Sequence, residues 1–477
     1  MVAQDRVPGE SRGTLVRGRD DDVGAAHRPA LVPGRGVTPG RLPVILLALA
    51  AVAACASVEP RAATSRHVVL ISIDALRPEF YLDPAWNAPT LRALAAEGSH
   101  ARAAEGVFPT VTYPSHASIV TGVRPMRHGI GSNTVPRADG AYRWYEREAD
   151  LRAPPLWAWT RAAGLTAAGV AWPSIIGGAL EWIVAERDYW ARKDPVADLT
   201  AASTPGLFER LGVTPDPAVF RNVARWDDFL GAIATGLVQR ERPNLLLVHF
   251  AQADLVQHQG GRDALGLPDA VARIDGHVAA LRRAVDAAGI SARTTIVVTG
   301  DHGFQDVREY VYPNHALVQA GLRGCPRPGP WRATFEASGG GGAVYVYARD
   351  DRETMARVED ILRRAAGGRY VVLTRAELDA LGALPGAVLG LEAAPGWALG
   401  TSCDRFTEPA NPRAVGTHGF LPTRPSMATG FIAAGAGIRR GVVLDRIRLI
   451  DIAPTLARLL GVSAPPVEGR VLEDILE

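Results

Sequence analysis

The chain reads as an α/β fold built on a mostly parallel central sheet. Apolar runs short enough to be strands alternate with helix-period segments, and the runs are continuous, as strands covered on both faces require. Acids and histidines cluster just after those runs. That places a site at the carboxyl ends of the strands, where open α/β sheets gather their ligands.

His67-Val-Val-Leu-Ile-Ser-Ile73 is the first such run, followed by helical patterns at 88–97 and 115–121. Asn244–Phe250 and Thr294–Thr299 have the same texture, with a helical pattern at 269–288 between them. Ala428–Ala434 is a later strand and 451–460 a closing helix. Between about 305 and 415 the texture changes. Ala343–Ala348, a helical stretch at 352–366 and Tyr370–Leu373 predict a β-α-β set, entered by a glycine loop at 339–342. This is a small α+β subdomain inserted into a catalytic domain spanning 67–477.

Of the 477 residues, 47% are apolar and 21% charged, which excludes a disordered or fibrous chain. Basic and acidic residues number 52 and 50, a formal charge of +2, so no nucleic-acid-coating surface is expected. Three cysteines are too few for a disulfide scaffold. Cys325 and Cys403 are left open between a pair and two free thiols. Cys55 closes an apolar run, Pro43 to Ala54, that follows Arg41 and is too short to span a bilayer as a helix. This is the pattern of an export signal at 41–55. Its Val-Ala-Ala-Cys ending resembles a bacterial lipobox, which predicts lipidation of Cys55 and a periplasmic or membrane-anchored lipoprotein; the alternative is a plain secretory signal. Residues 1–40 are rich in Arg, Gly, Asp and Pro without apolar period, an unstructured extension that a start codon assigned too early would explain, with Val37 opening the chain. Residues 56–66 read as a linker.

Asp74 ends the first strand, Asp254 and His258 follow the second one helical turn apart, and Asp301 and His302 follow the third in Thr-Gly-Asp-His-Gly. His418 precedes the last strand in Gly-Thr-His-Gly. Imidazole plus carboxylate without thiolate suits zinc or a neighbouring divalent metal. These six groups exceed one tetrahedral site, which predicts two ions. Thr110 and Thr112 stand before a helix expected to open near Pro114, where unpaired N–H groups and the helix dipole favour a developing alkoxide.

Val-Leu-Ile-Ser-Ile-Asp-Ala-Leu-Arg-Pro, Phe-Pro-Thr-Val-Thr-Tyr-Pro-Ser-His, Ser-Ile-Val-Thr-Gly, His-Gly-Ile, Thr-Gly-Asp-His-Gly and Gly-Thr-His-Gly occur here in the order found in nucleotide pyrophosphatase/phosphodiesterases. In this respect the chain, from about His67 to Leu460, resembles that family of the alkaline phosphatase superfamily. The resemblance implies an alkaline-phosphatase-like α/β/α sandwich, two Zn²⁺ and a threonine nucleophile. Matched motif by motif, Asp254, His258 and His418 would hold one zinc. Asp74, Asp301, His302 and the nucleophile Thr112 would hold the other, and Asn133 would donate to a phosphate oxygen. The implied reaction is hydrolysis of phosphodiester or pyrophosphate bonds in a small nucleotide-like substrate through a phosphothreonine.

Some positions depart from the pattern. His249 stands where the family commonly has a tyrosine that, with the residue at Tyr113, sandwiches a nucleobase. Gln257 replaces a glycine before His258, and Ser174 one after Trp172-Pro173. Tyr113 and His249 are thus the expected base contacts, with His249 the poorer platform. The rival activity is phosphomonoester hydrolysis, which usually adds a basic residue for the extra charge; Arg77 and Arg124 lie near the motifs. His116 and His128 are expected to be structural, His277 to lie on a helix surface, and the tryptophans 157, 159, 172, 182 and 190 to pack mainly as core.

Overall fold

The computed structural model describes residues 67–136, 142–322, 333–337, 341–348, 352–412 and 415–477. Residues 1–66, with the extension, the export signal, Cys55 and the linker, lie outside the described residues, as do Cys325 and the first half of the glycine loop.

The main elements, in chain order, are β1 (His67–Ile73), α1 (Pro89–Glu97), β2 (Ser99–Glu105), α2 (Thr112–Thr121), β3 (Ala167–Val170) and β4 (Trp182–Val184). They continue with α3 (Val223–Arg240), β5 (Leu245–Phe250), α4 (Gln252–Gly260), α5 (Leu267–Ala287), β6 (Thr294–Thr299), β7 (Thr429–Gly435) and α6 (Ile452–Leu460). Strand order is β2-β7-β6-β1-β5-β3-β4, with the short strands Val443–Leu444 and Ile447–Arg448 beside β2. β6, β1, β5, β3 and β4 run parallel, whereas β7 is antiparallel to both neighbours.

β1 shows why the fold has three layers. Its side chains alternate across the sheet. Val69, Ile71 and Ile73 enter a core shared with α1, α3 and α5. Val68 and Leu70 enter a second core with α2 and α6. Every residue of β1 is buried, so its continuous apolar run is what two covered faces demand. Trp157, Trp159 and Trp172 are core, whereas Trp190 is half exposed. Among the described residues no helix is long and apolar enough to cross a membrane.

Between β6 and β7 the chain builds two smaller sheets. One joins Gln305–Val311 to Gly396–Leu399, Thr407–Pro409 and Gly416–Thr417. The other is antiparallel, in the order Ala333–Ala337, Ala343–Ala348, Leu389–Ala393, Tyr370–Leu373, and the Arg352–Ala366 helix packs Val358 and Leu362 into its core. The expected β-α-β set is present, with its two strands parallel, but Leu389–Ala393 lies between them, a pairing no local pattern announces. Cys403 is disulfide-bonded.

Candidate metal centre and active site

Register brings the acids together. Ser72 on β1 aligns with His249 on β5 and with Thr299 on β6, so three adjacent parallel strands end at one level. Asp74 follows β1, Asp301 follows β6, and α4 starts two residues after β5, carrying Asp254 and His258 one turn apart. His418 comes from the return toward β7.

The ligand atoms of Asp254, His258 and His418 lie within 4.8 Å of one another, as do those of Asp74, Asp254 and His302. Asp254 is common to both clusters, so the two half-sites are contiguous. Asp301 joins the second through Oδ2, 3.2 Å from His302 Nε2. The His302 and His418 rings stack at 3.6 Å and tie the halves together.

The hydrogen bonds set the tautomers. His258 Nδ1 faces the Gly416 carbonyl at 3.1 Å, His302 Nδ1 the Gly303 carbonyl at 3.1 Å, and His418 Nδ1 the Thr110 carbonyl at 3.0 Å. A carbonyl only accepts, so each Nδ1 carries the proton and each Nε2 presents a lone pair. Those lone pairs point at carboxylate oxygens: His302 at Asp74 (3.3 Å), His258 and His418 at Asp254 (3.5 and 3.6 Å). Lone pair against lone pair is repulsive unless a cation lies between. Asp74 Oδ1, Asp254 Oδ1, Asp301 Oδ2 and His302 Nε2 are buried with no hydrogen-bond partner among the described residues. The donor set and its orphaned atoms therefore fit divalent metal ions.

The electrostatics agree. Burial, then the charges of Asp301 and Asp254, pushes the Asp74 carboxyl well above its usual range, and burial pushes Asp254 up. Burial also opposes ionisation of Asp301, but His302, His116, His249 and the Ala75 N–H outweigh it and hold that carboxyl low. Burial, then His302 and His258, drives His418 well down, leaving a neutral imidazole. Three acids this close lower their energy together when cations compensate them.

Thr112 is the first residue of α2, three residues earlier than the predicted start; Pro114 is tolerated because first-turn N–H groups have no partner within the helix. Thr112 is half buried. Thr110 is buried, its hydroxyl donating to Phe420 O (2.9 Å) and accepting from Gly419 N (3.1 Å). Of the two threonines, only Thr112 has a hydroxyl without such ties among the described residues. Asn133 Oδ1 accepts from Tyr113 N at 2.9 Å, which leaves Nδ2 as the donor of that amide. His116 packs behind Thr112, its Nδ1 donating to Thr112 O at 2.8 Å, and His128 bonds Ser118 and Ile130 N, both as expected.

The expected base contacts are arranged differently. Tyr113 is 1% exposed, its ring packs on Trp144 at 5.5 Å and its hydroxyl donates to Glu186. His249 is buried, with Nδ1 facing Ala171 O at 3.2 Å and Nε2 facing Asp74 Oδ2 at 3.3 Å. Neither presents an open ring face, because a side chain on a buried strand or a core-facing helix position spends its surface on packing. His277 is a smaller correction: it is half buried, stacked on Phe250 and 3.2 Å from Asp228.

Arg77 and Arg124 are engaged elsewhere. Arg77 is 2% exposed, paired with Glu79, bonded to Gln257 Oε1 and Arg262 O, and stacked on Phe80 and Trp86. Arg124 bonds Glu468 and Ala380 O through its backbone and side chain. Gln257 acquires a role: its amide donates to Ala75 O (3.3 Å) and Ala253 O (3.2 Å), latching α4 to the end of β1. Glu186, one of three acids between positions 181 and 188, carried no signal that could have singled it out.

Residues 68–420 match the family described as type I phosphodiesterase / nucleotide pyrophosphatase. The chain belongs to that family. Bis(5'-adenosyl)-triphosphatase enpp4 of Xenopus laevis is 21% identical over 89% of this chain and 84% of its own length. Human ectonucleotide pyrophosphatase/phosphodiesterase family member 7 is 24% identical over 90% of this chain and 87% of its own. Rat family member 3 is 23% identical, but the match covers only 26% of that longer protein. The structure of human ectonucleotide pyrophosphatase/phosphodiesterase 5 superposes with a TM-score of 0.63 at 18% identity, covering 86% of this chain and all of that one. A murine counterpart, solved with AMP as an inactive threonine-to-alanine variant, gives the same score at 17% identity. Membership makes this chain a phosphodiester hydrolase with a metal-dependent site.

Proposed function

We propose that this chain is a two-zinc phosphodiesterase that cleaves phosphodiester or pyrophosphate bonds of nucleotide-like substrates through a phosphothreonine at Thr112. The observation that carries the reading is the set of imidazoles with Nε2 left bare against unpartnered carboxylate oxygens at the ends of β1, β5 and β6. Asp254, His258 and His418 would hold one ion; Asp74, Asp301, His302 and Thr112 the other. Such ions supply Lewis acidity and lower the pKa of a bound hydroxyl or water.

The residues of the chain then divide the work. Thr112 Oγ forms a bond to phosphorus as the phosphorus–oxygen bond to the leaving group breaks, and the departing oxygen takes up a proton. Water next attacks the phosphothreonine, the phosphorus–Oγ bond breaks, and Oγ regains its proton. Asn133 Nδ2 donates to a non-bridging oxygen throughout, where negative charge grows. The inactive threonine variant of the murine relative is consistent with this nucleophile. Arg77, enclosed by Glu79, Gln257 and Arg262, is not free to clamp the extra charge of a monoester, which supports the diester reading.

We place the protein outside the cytoplasm, lipid-anchored through Cys55; the Cys403 disulfide supports an oxidising compartment. The test is turnover of a bis-aryl phosphate diester against its aryl monoester by zinc-loaded protein, with Thr112→Ala alongside. Diester preference, reduced by roughly 10⁴-fold or more in the variant, is expected. Monoester preference would move the protein to the phosphatase reading, and an active Thr112→Ala would remove the nucleophile.

A further inference from the structure

We infer that Asp227 is a positioning residue for the metal centre: from α3 it anchors the start of the ligand helix α4 through both of its carboxylate oxygens. This inference rests on the two-metal reading above. Asp227 is 0% exposed, and its two oxygens take one backbone donor each, Ala251 N at 3.1 Å and Gln252 N at 2.9 Å.

Those N–H groups open α4, whose capping position is Ala251, a residue with no side-chain acceptor. The first N–H groups of a helix have no intrahelical partner, so an acceptor must come from elsewhere. Here it arrives from another helix, 24 and 25 residues earlier in the chain. A nine-residue helix is too short to hold itself in water, so its attachments decide where it sits. Asp254 and His258 are its third and seventh residues, and any tilt of α4 about its start moves both ligands. The Gln257 amide latches the far end.

A neutral acceptor would satisfy one donor at a smaller desolvation cost. Asp227 instead turns both oxygens of one buried side chain onto two adjacent N–H groups, with no basic group within ion-pair distance among the described residues. Two bonds from one rigid group fix the direction of the helix start as well as its position, which a single acceptor would not.

The molecule contains its own control. Asp275 on α5 is buried and caps α1 in the same manner, accepting from Thr90 N at 3.1 Å and Leu91 N at 2.8 Å, but α1 carries no ligand. Zinc affinity, measured by chelator competition, and the melting temperature of metal-free protein separate the two roles. Asp227→Asn is expected to weaken zinc binding about tenfold or more, the range seen when an outer partner of a metal site is removed. Asp275→Asn should lower the melting temperature of the metal-free protein while zinc affinity stays within twofold. Where Asp227→Asn does not fold, Asp227→Ser offers one acceptor in place of two and should show the same weakening. A folded Asp227 variant with wild-type zinc affinity would overturn the inference, as would equal weakening in Asp275→Asn. Wild-type protein that binds no zinc would overturn the two-metal reading itself, and this is seen before any variant is made.

Discussion

The two halves of the candidate metal centre offer the same donor types in different surroundings. Asp74, Asp301 and His302 follow strand ends and are almost fully buried, with side-chain exposures of 6%, 0% and 0%. Asp254 and His258 sit on a short helix and keep 17% and 32% of their surface, while His418 keeps 3%. The inner half is held by the sheet, whose register no single side chain can alter. The outer half is held by a helix whose position depends on Asp227 at one end and Gln257 at the other. Preorganisation is inherited in one case and assembled in the other, and the assembled half should tolerate change better.

The largest expected contrast follows from burial. Asp301→Asn removes an anionic oxygen from a site that water cannot reach, and should eliminate about one bound metal ion per chain and reduce diester turnover by roughly 10³-fold. His258→Ala opens a position that water or added imidazole can fill, so a loss of about 10–100-fold that excess zinc largely restores is expected. Metal content by elemental analysis and turnover against zinc concentration check both; equal, unrescued losses would erase the distinction between the halves.

A smaller effect separates the two threonines. Thr110→Val leaves Gly419 N and Phe420 O without their partner and should cost about 1–3 kcal/mol in urea unfolding. The phosphothreonine trapped on rapid quenching should still form. Its disappearance would transfer the chemistry from Thr112 to Thr110.

The smallest effect concerns the support beside the inner half. Burial pushes the Glu186 carboxyl from its ordinary 4.5 up to about 7, partly offset by the Tyr113 hydroxyl. A folded-state value above the unfolded one means the folded protein holds that proton more tightly. Stability from this group is therefore full below pH 4.5 and is lost as pH rises toward about 7. Wild type should lose stability across that window relative to Glu186→Gln, read by thermal or urea unfolding. A variant with the same slope as wild type would assign the pH dependence to other groups.

Asp74, Asp254 and Asp301 were legible as acids at strand ends, because an apolar run of fixed length followed by an acid is a local pattern, whereas Thr112 was legible as a ligand only through the family resemblance. Tyr113 and His249 were legible only as family positions. What they do depends on neighbours at Glu186 and Asp74, 73 and 175 residues away, which no spacing rule connects. Arg77 was an arginine near a motif until Glu79, Gln257 and Arg262 enclosed it. The strand pairing around Leu389–Ala393 was hidden for the same reason.

By itself, the sequence determined the strands, the helices and the inventory of donors, since burial on two faces and helical period leave marks within a few residues. The tertiary structure alone decided which lone pairs meet, which threonine is free and which aspartate braces the ligand helix. Those outcomes depend on distances of a few ångströms between segments far apart in the chain, and close packing settles them only when every layer is in place.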